Sequence, residues 1–277
     1  MITLALRNLL LLTLFLIYST ANAEGLGDCT PINAAPFVIT QPGSYCLSND
    51  ISLSVPAGKA IFVKADDVNI NFQGFSLTNS LARLGNTAIG VYANDRDHLE
   101  ITNGELAGWV TGIKLEGLQS MGNRISGMSL YNIRGTGIDA EGTELRVSGN
   151  RFSGIGGSPK FADAIGINIG GTSPRIIDNI IRAISAGDGD AIGLNLKDTV
   201  NPYITGNTFD TFDASKISIG MKLDGTLNAI ILRNTFYKFD VGIALENGSS
   251  GLTNDTFQQE VTTPTTGFGL IFIGHNF

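Results

Sequence analysis

The chain has 277 residues, 35 of them glycine, and its 25 acidic against 18 basic residues leave a formal net charge of −7. That balance excludes the usual electrostatic footprint of nucleic-acid and anionic-membrane binders, which need a basic patch. Only 16% of the residues are charged, and one domain is expected if the chain is a stack of repeats.

In chain order, residues 1–23 read as a signal peptide. Arg7 supplies the positive start, Leu9 to Tyr18 the apolar core, and Ala21-Asn22-Ala23 the small-residue cleavage site. The apolar run is too short to span a bilayer. The mature protein is therefore expected to be secreted or periplasmic, with no transmembrane segment after cleavage. Residues 24–57 form a cap segment holding the chain's two cysteines, Cys29 and Cys46, together with Pro31, Pro36, Pro42 and Gly43. In an exported protein a lone close pair predicts a disulfide, contributing roughly 3 kcal/mol by loop closure. A metal site there is disfavoured, because the two histidines, His98 and His275, lie at no ligand spacing.

Residues 58–277 repeat. Asp163 to Ile169 reads D-A-I-G-I-N-I and Asp190 to Leu196 reads D-A-I-G-L-N-L, with looser copies around Gly90, Gly112, Gly137, Gly220 and Gly242. The glycines fall 22 to 29 residues apart, a period that signals a solenoid. Each copy divides into three alternating pieces, hence three short strands. After each glycine, Val91, Ile113, Ile138, Ile167, Leu194, Met221 and Ile243 form one inward column. A second piece begins at Ile101, Ile125, Val147, Ile176, Ile204, Ile231 and Leu252. A third carries Leu106, Leu130, Phe152, Ile181, Phe209, Phe236 and Phe257. Asn150, Asn179, Asn207 and Asn234 share a corner, where stacked amides can hydrogen-bond along the column. No Asn-Gly hairpin joins matched runs, so each strand's partner is its counterpart one lap away, in parallel. The fold class is all-β, a solenoid of about eight coils.

From Gly58 to Gly269 the sequence resembles the right-handed parallel β-helix proteins, the pectate lyase-like and NosD-like superfamily. The stretch Ala60 to Leu77 is similar to the first coils of exported bacterial members, and Pro42-Gly43-Ser44-Tyr45 to their opening turn. The resemblance implies the right-handed winding and carbohydrate as a substrate class. Ala186 to Asn195 resembles the aspartate motifs of polygalacturonases, but the Gly-His-Gly and Arg-Ile-Lys motifs of that family do not occur. The arginine base of pectate lyases has no counterpart near the insertions, since Arg151, Arg175 and Arg182 fall on the second and third strands.

Candidate chemistry collects on the first strand. Its glycines are expected to face outward as a trough, with the isoleucines and leucines of the repeated phrase filling the bore. Beside the trough runs an outward, mostly polar column of Tyr92, Lys114, Asp139, Asn168, Asn195, Lys222 and Ala244. The extra residues of the long laps, 156–163, 185–190 and 213–218, should gather above it. They carry Lys160, Asp163, Asp188, Asp190, Asp213 and Lys216. Three readings of Asp163 and Asp190 stand: an acid–base pair sharing a proton, a calcium site joined by Asp188, or caps for their own turns. The ligand-binding candidates are Asn168, Asn195, Lys222, Lys160 and Asp188, and the expected partner is a polysaccharide or cell-surface glycan. Two functions compete: an exported protein that binds a carbohydrate polymer, with or without lyase or hydrolase activity, and a non-catalytic structural or adhesive rod.

Overall fold

The computed structural model describes residues 29–82, 85–158, 161–211 and 216–273; the signal-peptide segment and Lys160 lie outside them. The described residues form strands, turns and loops without helix. Ten parallel strands, from Phe37–Ile39 to Thr263–Thr266, build one broad sheet, and so bound about nine turns of a β-solenoid. Two narrower faces complete the coil and are continuous where Glu100–Ala107 and Arg124–Tyr131 run around their shared corner.

Register follows the repeat. Ile167 lies opposite Leu194, Asn168 opposite Asn195 and Ile169 opposite Leu196. The three predicted apolar columns line one continuous bore, filled by large side chains such as Phe152, Phe209 and Phe236, each at most 1% exposed. Trp109 is buried among them and donates its indole N–H to the Leu77 carbonyl at 3.0 Å. The predicted disulfide forms, with Cα atoms 5.8 Å apart. Because Thr30–Ile32 pairs in parallel with Gly43–Leu47, the bridge ties the first coil to the second.

The corner asparagines form the predicted ladder. Asn150, Asn179, Asn207 and Asn234 are essentially solvent-free. Each side-chain amide donates to the next Oδ1 in turn, at 3.0, 2.9 and 2.9 Å. The same Nδ2 groups reach backbone carbonyls such as Val147, Ile176 and Ile204. The corner thereby satisfies backbone groups that a turn inside the coil would orphan.

Two expectations are overturned. The recurrent glycines face the bore, not solvent. A Cβ on Gly137 would lie 2.7 Å from the Phe152 ring, one on Gly193 2.7 Å from Phe209, and one on Gly220 2.3 Å from Phe236. There is no glycine trough. Strict alternation fails because glycine and the residue after it both turn inward, and only a residue without a side chain leaves room for the aromatic ring beneath. The residue before each glycine consequently faces out. Ile165, Ile192, Ile219 and Val241 leave the bore and, with Ala244 and Ile217, make a second small apolar cluster.

In the last coil the register places Thr253 opposite Ile231 and Gln258 opposite Phe236. Leu252 and Phe257, expected inside, are displaced by one residue, and a one-residue shift moves a side chain to the other face. Phe257 is 47% exposed in consequence.

Candidate functional site

The outer face of the broad sheet carries the polar column. Phe62, Tyr92, Lys114, Asp139, Asn168, Asn195 and Lys222 oppose one another on successive strands. Parallel in-register pairing forces this, since residues two apart share a face and laps stack at ~4.8 Å.

The column is knit lengthwise. Lys59 sets its ammonium 3.3 Å from the Tyr92 ring centroid and 4.4 Å from that of Phe62, a cation–π arrangement. The two rings meet edge to face at 5.3 Å. Tyr92 donates its hydroxyl to Glu116, which pairs with Lys114 at 2.8 Å. Lys114 also faces Asp139 at 3.6 Å. Asn168 donates to Asp139 at 2.7 Å, and Asn195 donates to Asn168 at 2.7 Å. There the chain of bonds stops. Asn195 Oδ1 is shielded from solvent and has no hydrogen-bond partner, because Lys222 opposite turns its ammonium to Glu246 at 2.9 Å.

Electrostatics agree with the bonding. Hydrogen bonds from Lys114 and Tyr92 hold the Glu116 carboxyl below its ordinary range. The bond to Glu116 raises the Tyr92 phenol, helped by burial. Burial opposes the charge on Lys114, but its bond to Glu116 and the field of Asp139 outweigh it and raise its pKa. At neutral pH this half of the column therefore holds a fixed pattern of charge, not a proton-exchanging group.

The predicted aspartates sit elsewhere. Asp163 lies just before the strand Ala164–Thr172, and Asp190 just before Ala191–Val200. Five residues of strand, roughly 16 Å, separate each from Asn168 or Asn195. Asp163 Oδ1 accepts the Asp190 backbone N–H at 2.9 Å, a bond from one lap to the next. Asp188 is exposed. Among the described residues, no three His, Cys, Asp or Glu side chains converge as a metal ion requires. The first two insertions do stack as expected: Gly157 N–H bonds the Ser185 carbonyl at 3.2 Å, and a Cβ on Gly189 would strike Asp163 and Ala162. Residues 212–215 of the third lie outside the described residues.

Sequence columns identified Tyr92, Lys114, Asp139, Asn168, Asn195 and Lys222. They missed Glu116, Lys59 and Phe62. The signal for Glu116 was available two residues beyond Lys114 on the same face. Lys59 and Phe62 precede the first recognisable glycine and so carried no repeat marker.

A family model described as the right handed beta helix region matches residues 59–275. The chain belongs to this right-handed β-helix family. Among solved structures, the β-helix superposes on the GH136 lacto-N-biosidase from Eubacterium ramulus with a TM-score of 0.56 at 12% identity, covering 90% of this chain and 59% of that one. The catalytic unit of the GH87 α-1,3-glucanase from Streptomyces thermodiastaticus strain HF3-3 gives 0.51 at 14% identity, covering 89% and 62%. DFA-IIIase from Arthrobacter chlorophenolicus A6 gives 0.50 at 13%, covering 83% and 73%. This chain thus spans less than two thirds of the first two, and at such identities the likeness is one of fold. No curated protein matches the sequence.

Proposed function

We propose that this β-helix is an exported protein that binds a carbohydrate polymer along the outer face of its broad sheet. The observation that carries the proposal is the unpaired, shielded Asn195 Oδ1 at the end of an otherwise complete amide and charge ladder. A buried acceptor without a donor costs about 1–3 kcal/mol, and a sugar hydroxyl relieves it once the half-buried Asn195 side chain turns that oxygen outward. The six rungs from Tyr92 to Lys222 extend roughly 24 Å, a length suited to an extended chain. Alternating donors and acceptors along it, with the aromatic pair Phe62 and Tyr92 at one end, match a ligand of hydroxyls and apolar ring faces. The disulfide fits an oxidising compartment, secreted or periplasmic.

Binding without cleavage is the reading the geometry favours. We assign Asp163 and Asp190 to shaping stacked turns, because one oxygen of Asp163 already holds the Asp190 amide. Lys222 is neutralised by Glu246. Lys114 is neutralised by Glu116 and Asp139. The test is a panel of neutral and acidic polysaccharides, scored for retardation of the protein in affinity gels and for reducing ends and unsaturated products, with and without chelator. Retardation without products is expected. Product formation abolished in Asp163→Ala or Asp190→Ala would reinstate the catalytic pair, and no retardation by any neutral polysaccharide would sink the binding proposal.

A further inference from the structure

A second charged surface lies on a different face of the rod. On the strands following each first corner, Arg124 opposes Arg146, and Arg146 opposes Arg175. Three guanidinium groups are thus stacked on consecutive rungs at ~4.8 Å. All three residues are exposed. Among the described residues none of the three has an ion-pair partner, and the middle one donates a 3.4 Å bond from Arg146 Nε to Ser148 Oγ. Arg175 also lies 5.7 Å from the Tyr203 ring centroid, and Tyr203 occupies the next rung of the same column. Gly122, Glu144 and Ser173 join the three arginines around one open recess.

Like charges directly opposite across strands are destabilising, and this chain carries a net negative charge to which such a stack is an exception. Arg151 and Arg182 show the alternative: Arg151 opposes Ser129 and Ile180, and Arg182 opposes Ser153. We propose that Arg124, Arg146 and Arg175 form an anion-binding ladder for the carboxylate or sulfate groups of an acidic glycan. Guanidinium forks pair with such oxyanions through two parallel N–H···O bonds, and Tyr203 offers a ring face at the end of the run. The overall negative charge and the short extent of the ladder favour an acidic glycan over nucleic acid. This site is separate from the Asn195 column and stands whether or not that column binds sugar.

The experiment compares wild type with Arg124→Gln/Arg146→Gln/Arg175→Gln, with the two-charge ladder variant Arg124→Gln/Arg146→Gln, and with the control Arg151→Gln/Arg182→Gln, which removes two arginine charges outside the ladder. Binding is measured to polygalacturonate (carboxylate), dextran sulfate (sulfate), neutral dextran and duplex DNA at low and raised salt. Wild type is expected to bind at least one acidic polysaccharide, more weakly as salt rises. The ladder variant should lose about tenfold or more, while the control keeps its affinity. The ladder variant should also melt no lower than wild type, since it removes like-charge repulsion, so a loss of binding is not a loss of fold. Equal binding by the ladder variant and wild type, equal loss in the control, absence of wild-type binding to both acidic probes, or tighter binding to DNA than to either would each overturn the assignment. Neutral-glycan binding through Asn195 is read separately on neutral polymers, so the two proposals fail independently.

Discussion

Asn195 gives its side-chain N–H to Asn168 Oδ1 at 2.7 Å and leaves its own shielded Oδ1 without a donor. One rung further, Lys222 could face that oxygen and instead pairs with Glu246. The corner ladder ends differently: the Asn207 and Asn234 amides both find further carbonyl partners. Two asparagine columns in one rod thus have opposite characters, one closed and fully bonded, the other ending on a shielded acceptor without a donor.

The closed column should dominate stability. Asn207 Oδ1 accepts from both the backbone and the side chain of Asn179, and its Nδ2 reaches Ile176, Thr205 and Asn234. Asn207→Ala orphans several buried groups at once and should cost about 3 kcal/mol or more. The exposed Asn94→Ala should cost under about 0.5 kcal/mol. Urea denaturation of the two variants checks the contrast.

The inward glycines make a steric prediction. Gly220→Ala places a methyl 2.3 Å from Phe236 Cδ1 and 2.8 Å from the Gly242 carbonyl, so overpacking of about 1–3 kcal/mol is expected. Phe236→Leu in the same chain should recover part of that loss, giving a non-additive cycle. Gly187→Ala, with nothing within 4 Å of the added carbon, should be nearly neutral. Thermal melts of wild type, Gly220→Ala, Phe236→Leu, the double variant and Gly187→Ala decide it.

The charged half of the column predicts a pH dependence. The Glu116 pKa is lowered in the fold, so its contribution is present above its ordinary value of 4.5 and is lost as pH falls through the lowered one. Tyr92 and Lys114 are raised from 10.0 and 10.5, so theirs are present below those values and lost as pH rises through the raised ones. The groups are partly exposed, so the total effect should stay within about 1 kcal/mol. The stability difference between wild type and Glu116→Gln should therefore be constant near neutrality and shrink at both extremes. A difference that persists unchanged below pH 4 would contradict the pairing.

Much of this architecture was legible in the residues. The apolar columns, the disulfide, the asparagine corner and the polar stripe follow from period and spacing, because parallel in-register stacking turns a sequence repeat directly into a spatial column. The direction of Gly137, Gly193 and Gly220 was not legible. Period-two alternation puts them outside, and only the aromatic rings of Phe152, Phe209 and Phe236 beneath them explain two inward residues in succession. Ile165 and Ile192 were assigned to the bore for the same reason. Leu252 and Phe257 misled because both positions carry an apolar residue while the register of the last coil selects Thr253 and Gln258. At the site, the column members were visible, but which of them lacks a partner depends on where the Lys222 ammonium turns.

The most direct measurement is isothermal titration of the best-binding neutral polysaccharide from the panel into wild type and Asn195→Leu. Leucine removes the unpaired acceptor, which offsets the lost bond from Asn195 to Asn168, so the variant's stability should stay within about 1 kcal/mol of wild type while its affinity falls about tenfold, the loss of one hydroxyl-to-acceptor bond. Unchanged affinity in a correctly folded Asn195→Leu protein would contradict the assignment of this face as the glycan-binding surface.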